Sequence, residues 1–380
     1  MGMLIALYTA VVVLLSLYGA HALVMVCLHL RGRRRTPSGA CCPQPTSWPQ
    51  VTVQLPVYNE RYVIIRLIDA VARLDYPADR LEIQVLDDST DATTRLAARR
   101  VQVWQQRGVN IRLIRRDRRV GYKAGALQHG LATASGDLIA IFDADFVPPP
   151  DWLRRTVPVL VHHPEVGIVQ TRWEHLNADL SALTRAQALA LDGHFGVEQP
   201  ARAHNGLLLN FNGSAGLWRR RCIEEAGGWR SETLSEDLDL SYRAQLRGWR
   251  VAYLPDVTAP AEIPPRMTAF KRQQFRWAKG SAQCVRLLAG PLARSSLPLH
   301  VRLLGLLHLT GYFIHPGMVV LLLLTLPLLL SDKHMETSLP PAWLGLLGLS
   351  APLLYLAAQH ALRPDWKRRA LCCRPSWCWE

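Results

Sequence analysis

A chain of 380 residues, 49% of them apolar, can hold one or two domains with a full core. Its formal net charge of +14 favours anionic partners, but no zinc-finger spacing, RNP motif or basic zipper is present, which argues against nucleic acid. Apolar residues crowd the two ends and charge lies between and beside them, so anionic lipid and a phosphorylated substrate account better for the balance. The eight cysteines form no CxxC; this excludes ordinary zinc spacing and fits reduced thiols in a cytosolic domain.

Met3 to Leu30 is almost wholly apolar and exceeds the roughly 20 residues a membrane-spanning helix needs. Arg31, Arg33, Arg34 and Arg35 follow at once. The positive-inside rule then places the N-terminus outside and residue 31 onward in the cytoplasm. A cleaved signal peptide has the reverse order, with charge before a shorter apolar core. Residues 1–30 read as a transmembrane helix and 31–50 as a basic, Pro-rich linker.

Val51 to Pro56, Leu81 to Leu86, Ile111 to Arg115 and the run from Leu138 read as strands, alternating with helical patterns at Val63–Leu74, up to about Arg107, and at Tyr122–Thr133. Such alternation predicts a parallel sheet with right-handed crossovers. Acids follow three strands, at Glu60, at Asp87 and Asp88, and at Asp143 and Asp145. Ligands of open α/β sheets sit at the carboxyl ends of strands. Asp-x-Asp there can hold a hard divalent cation against a diphosphate. Asp87 is assigned to a ribose or base edge and Asp91 to helix capping. Lys123, in the first turn of a helix opened by Gly121, suits phosphate.

Further along, Val166–Trp173 reads as a strand, Asn212-Gly213-Ser214 as a tight turn after Leu207–Phe211, and Ser235-Glu236-Asp237 as the start of a helix that continues to Gly248. Acids in a first helical turn suit the dipole with no further role. Phe270–Gly280 is a basic helix interleaved with aromatics, fit for a membrane surface or for donating to a diphosphate. Residues 286–330 read as an interfacial segment and a span from about Tyr312, 342–362 as a third span and 363–380 as a cytosolic tail. His308 and His315 are expected at the interface or hydrogen-bonded within the bundle. The domain over 51–285 is thus expected to face the cytosol, at a plasma or inner membrane, or at the Golgi in a eukaryote.

Val53–Glu60 (VQLPVYNE), Leu86-Asp87-Asp88-Ser89, Gly121–Ala126 (GYKAGA), Asp143-Ala144-Asp145, Ser235-Glu236-Asp237 and Gln273-x-x-Arg276-Trp277 together resemble the processive branch of glycosyltransferase family 2. That branch includes cellulose, mannan and hyaluronan synthases. Intervening wording such as IQVLDDSTDAT and NFNGSAGLWRR is most similar to the cellulose-synthase-like mannan and xyloglucan-backbone synthases. The resemblance implies an α/β, GT-A-type, Rossmann-like nucleotide-sugar domain flanked by transmembrane helices, acting as an inverting transferase with Mg²⁺ or Mn²⁺. It implies that Asp143 and Asp145 bind the metal, and that Tyr58, Glu60 and Asp87 line the nucleoside pocket. Lys123 would hold phosphate, and Gln273, Arg276 and Trp277 would close over the diphosphate and acceptor sugar. Asp237 would be the general base with Glu236 beside it, and Phe211, Asn212, Gly213 and Ser214 would border the acceptor.

The donor is expected to be GDP-mannose or UDP-glucose, and the product a β-1,4-mannan or glucan. Single transfer to a ceramide or polyprenyl lipid, and an inactive membrane scaffold, are the alternatives. Ser235 stands where relatives carry Thr or Val, and relatives continue into further membrane helices. Three spans are few to enclose a polysaccharide channel within one subunit, so truncated, homo-oligomeric and non-secreting forms all stay open.

Overall fold

The structure, a computed structural model, describes residues 2–32, 42–330 and 343–363. Arg33–Arg35, the polar stretch before the third span, the first residue of that span, Ala342, and the tail from residue 364 lie outside the described residues.

The chain divides into two compact units. The larger draws on Thr36–Ala188 and Leu208–Ser296. Its strands are β1 (Val51–Val57), β2 (Leu81–Asp87), β3 (Ile111–Arg115), β4 (Leu138–Ile141), β5 (Val166–His175), β6 (Gly216–Arg219) and β7 (Arg250–Ala261). They form one sheet in the order β3-β2-β1-β4-β6-β5-β7. As the alternation predicts, β3, β2, β1 and β4 are parallel. β6 is not: it runs antiparallel to both β4 and β5. Four residues are too short to show a period, so neither β6 nor its direction is visible in sequence, and β7, parallel to β5, was equally unread.

Successive strand side chains point to opposite faces, and β4 shows the consequence. Leu138 and Ala140 enter one core cluster, Ile139 and Ile141 the other. The first cluster is covered by α2 (Ile64–Ala72), α3 (Thr93–Gln105) and α5 (Trp152–His162), through Leu67, Ile68, Val101 and Trp152. The second is covered by α4 (Tyr122–Thr133), α8 (Arg220–Glu225) and α9 (Glu236–Leu246), through Leu127, Ile223 and Leu240. Helices on both faces explain why β4 (LIAI) reads as a continuous apolar run. The basic helix is longer than its sequence pattern, running as α10 from Met267 to Ala293.

The second unit draws on the N-terminal helix α1 (Gly2–Gly32), on Leu189–Leu207 and on the chain from Leu297. α1, Gly311–Leu329 and Leu344–Leu362 are each long and apolar enough to cross a membrane. Leu189–Leu207 contains a π-helical turn, His194–Glu198, between α6 (Ala182–Gly193) and α7 (Gln199–His204). Close packing relies on small residues. A Cβ on Gly19 would fall 2.5 Å from the Leu347 carbonyl oxygen, and one on Gly196 2.9 Å from Leu362. Polar groups are bonded internally. Gln199 Nε2 donates to His194 Nε2 (3.1 Å), and His194 Nδ1 in turn donates to Glu198 (2.9 Å). Arg202 Nη2 donates to His21 Nε2 at 3.0 Å, and His308 faces Arg202, His194 and His21. His308 thus joins an internal polar cluster.

Candidate active site

The site lies along one edge of the sheet. β1 ends before Tyr58, β2 ends on Asp87 and β4 ends before Phe142 and Asp143. An antiparallel strand begins where its parallel neighbours finish, so Gly216 of β6 pairs with Ile141. The turn Asn212–Ala215 is thereby delivered to the same edge.

That turn ties the centre together. The Asp143 N–H donates to Ser214 Oγ (2.9 Å), and the Ala215 N–H to the Ile141 carbonyl (2.9 Å). Lys123 Nζ, from the first turn of α4, donates to the Gly213 carbonyl at 3.0 Å. The same ammonium is 2.6 Å from Asp143 Oδ1 and 3.8 Å from Glu236 Oε1. Gly213 has φ +81°, and a Cβ there would fall 2.9 Å from Asp237 Oδ2. No other residue fits without strain. Lys123, Asp143, Glu236 and Asp237 therefore meet at one backbone turn. Ser214 is fully buried, and Asn212 is held by its N–H to Gln170 Oε1 at 2.8 Å. Phe211 differs from the expectation of an acceptor surface. It is wholly buried, packed edge-on against Trp218 at 5.4 Å and in contact with Gly216, so its ring supports the turn from within the core.

Acids outnumber the lysine, and their proton affinities respond. Burial, reinforced by Asp143 and Glu60, pushes Asp145 up to about 7. Burial raises Glu236 and Asp237 together against the pull of Lys123. Burial would lower Lys123, but Asp143 and Glu236 outweigh it and hold the ammonium above its ordinary range. Glu60 is raised by burial and by Asp143, and Arg276 of α10 offsets this in part. Glu60 thus lies with the Asp-x-Asp acids as well as beside Tyr58. Among the described residues no three acidic, His or Cys side chains converge as a complete metal cage. Two half-buried carboxylates with excess negative charge instead fit a Mg²⁺- or Mn²⁺-type ion that takes its other ligands from phosphate and water.

At the end of β2, Asp87 is 1% exposed; its Oδ1 accepts the Ser89 N–H at 3.0 Å, while its Oδ2 has no hydrogen-bond partner. Asp91 Oδ1 accepts the Thr93 N–H at 2.9 Å, at the start of α3. Asp88 is bound by Arg116. Tyr58 is 39% exposed.

α10 brings the QxxRW residues, with Gln273 and Trp277 half-buried and Arg276 exposed. Its later turns dock on the Glu236–Asp237 segment. A Cβ on Gly280 would fall 2.1 Å from Ser235 Oγ, and Gln283 Oε1 accepts the Leu234 N–H at 2.9 Å. The contact leaves no room for a side chain at Gly280.

Two residues at the site were not found from sequence. Arg66 of α2 forms an ion pair with Glu262 at 2.5 Å and donates to the Asp145 carbonyl at 3.4 Å, and the Glu262 N–H also donates to that carbonyl, at 3.3 Å. Together they brace the Asp-x-Asp turn. Glu262 directly follows β7, so reading β7 as a strand would have exposed it as another acid at a strand end.

Comparison with known proteins agrees with this architecture. Residues 49–280 match the family described as glycosyltransferase like family 2. Glucomannan 4-beta-mannosyltransferase 2 of Arabidopsis thaliana is 46% identical over 254 residues, 66% of this chain and 48% of that protein. Probable glucomannan 4-beta-mannosyltransferase 9 of Oryza sativa subsp. japonica is 42% identical over 294 residues, 72% of this chain and 55% of that protein. The chain spans about half the length of the curated relatives it matches. A mannosyltransferase from Pyrobaculum calidifontis, solved with GDP-Man and Mn²⁺, shares the fold with a TM-score of 0.60 at 23% identity, over 96% of this chain and 95% of that one.

Proposed function

For a chain that belongs to glycosyltransferase-like family 2, and is a membrane protein by its three apolar helices, we propose the activity of an inverting β-mannosyltransferase that extends a β-1,4-linked polysaccharide from GDP-mannose. The observation that carries this reading is the meeting of Lys123, Asp143, Glu236 and Asp237 at the Gly213 turn. The relatives named as glucomannan mannosyltransferases support the sugar and the linkage.

Asp143 and Asp145 would hold Mg²⁺ or Mn²⁺, which supplies charge to the leaving diphosphate. Lys123 shares that task. When a phosphate oxygen takes its place beside Asp143, the ammonium is already desolvated and positioned, the preorganisation that favours developing charge. Arg276 and Gln273 approach the diphosphate from α10, Tyr58, Glu60 and Asp87 hold the nucleoside side, and Trp277 offers a face to the acceptor sugar. Asp237 removes the acceptor hydroxyl proton. Its carboxyl, raised to about 6 by burial, is ionised at neutral pH yet basic enough to accept a proton, close to what a general base needs. Single displacement of an α-linked donor leaves a β-linkage. Gly213, Ser214 and Asn212 border the acceptor through backbone, and Glu236 secures Lys123. The catalytic unit faces the cytosol, with the N-terminus across the membrane.

The test is transfer from GDP-mannose and UDP-glucose by membranes holding the chain, with Mn²⁺ or Mg²⁺, followed by linkage analysis. A β-1,4-mannosyl polymer is expected. A single-sugar product soluble in organic solvent would replace the polymer with a lipid acceptor, and absence of transfer from both donors would overturn the proposal.

A further inference from the structure

The nucleoside half of the crevice is covered by the loop between β3 and α4. Arg115, the last residue of β3, and Arg116 and Arg119 of the loop each engage a group at the neighbouring strand ends. Arg119 lies over the Tyr58 ring, with its guanidinium carbon 3.3 Å from the centroid, and 5.0 Å from that of Tyr122. This is the separation at which a planar base stacks on an aromatic face. Arg115 Nε is 3.5 Å from Asp87 Oδ2, the buried oxygen that has no hydrogen-bond partner. The Asp87 side chain has no exposed surface, so a nucleoside cannot reach it in this arrangement. Two groups suited to a base, one stacking face and one acceptor, are both taken by arginines, one at the end of β3 and one in the loop that follows.

Arg116 holds the rest of the loop in place. Arg116 is anchored by Asp88, by the Val120 carbonyl (2.8 Å) and by the Tyr122 carbonyl (3.1 Å). Gly121 at φ +75° and Tyr122 at φ +49° take the backbone through a left-handed turn into α4. Arg115 and Arg119 keep more exposure, at 53% and 35% of their side chains, with Arg115 Nη2 also donating to the Ser89 carbonyl at 3.1 Å and Arg119 Nε 3.9 Å from Asp88 Oδ2.

We propose that Arg115 and Arg119 form a gate over the nucleoside pocket, occupying Asp87 and Tyr58 until a nucleoside diphosphate displaces them. The proposal rests on reading this pocket as the nucleoside site. It assigns these arginines to a closed state that competes with the donor. Apparent affinity is then the intrinsic affinity reduced by the fraction of open protein.

The experiment measures GDP and UDP binding to the full-length chain in detergent, for the wild type, Arg119→Ala and Arg119→Gln, which keeps length but drops the cation. Removing one exposed cation–π contact should tighten whichever nucleotide the wild type binds by about two- to fivefold. Arg115→Ala should act in the same direction. Unchanged or weaker binding in both Arg119 variants would overturn the gate while leaving the nucleoside site standing. Absence of GDP and UDP binding in all proteins would overturn the nucleoside reading and the gate with it.

Discussion

The crevice of the α/β unit gathers Asp143, Asp145, Glu236 and Asp237 around Lys123, and the membrane-span unit gathers Glu198, His194, His21 and His308 with Arg202. Both remove charge from water, which is costly unless each group finds a partner. In the membrane-span unit the partners are internal, an acid and an arginine with histidines bonded between them. In the crevice the acids exceed the cations, and the surplus is expressed as raised proton affinity in Asp145, Glu236 and Asp237. A balanced cluster stabilises its own fold. An unbalanced one leaves a demand for positive charge that a divalent cation would meet.

The largest expected effect separates chemistry from binding. Asp237→Asn should lower transfer by about 10²–10⁴-fold while GDP binding persists, as measured by product formation and by equilibrium binding on the same preparation. Wild-type rates in that variant would remove Asp237 from the reaction. Next comes the balanced cluster. Breaking one partner of a buried charge pair costs about 3–5 kcal/mol, so Arg202→Ala should sharply lower the thermal inactivation temperature of the solubilised chain. The crevice should respond with the opposite sign. Asp145→Asn relieves like-charge crowding, so the metal-free variant should melt a few degrees higher than wild type and lose the stabilisation that Mn²⁺ gives. A lower melting point there would erase the contrast between the clusters.

The smallest effect is the pH dependence. Raised folded-state carboxyl values mean that the folded protein binds more protons than the unfolded chain between about pH 4 and 7. Stability of the metal-free protein should therefore fall as pH rises through that window. Melting curves at pH 5 and 8 check this, and Mn²⁺ should raise the midpoint more at pH 8. Equal midpoints at both pH values would show that the acids are balanced without metal.

Much of the catalytic unit was legible because its signals are local. Leu138 to Ile141 alternate between two cores and so read as an unbroken apolar run ending at Asp143. Strand ends loaded with acids announced the edge. Partnerships made by topology stayed hidden. Nothing in the wording of Gly213 or Lys123 indicates that they meet, because their contact depends on a four-residue strand running against its neighbours. Phe211 looked like part of the turn it precedes, yet its ring is core. His194, Glu198 and Arg202 stand four residues apart, but the cluster they form includes His21 and His308, which only the fold brings to them.

The reversed direction of β6 has a consequence for how such enzymes diversify. Under the proposed roles, donor-facing groups hang from strand exits, after β1, β2 and β4, while the acceptor-side turn arrives at a strand entrance. The two sides of the reaction are therefore written in separate stretches of gene. A lineage can thus try new acceptors while its nucleotide-sugar pocket is inherited intact.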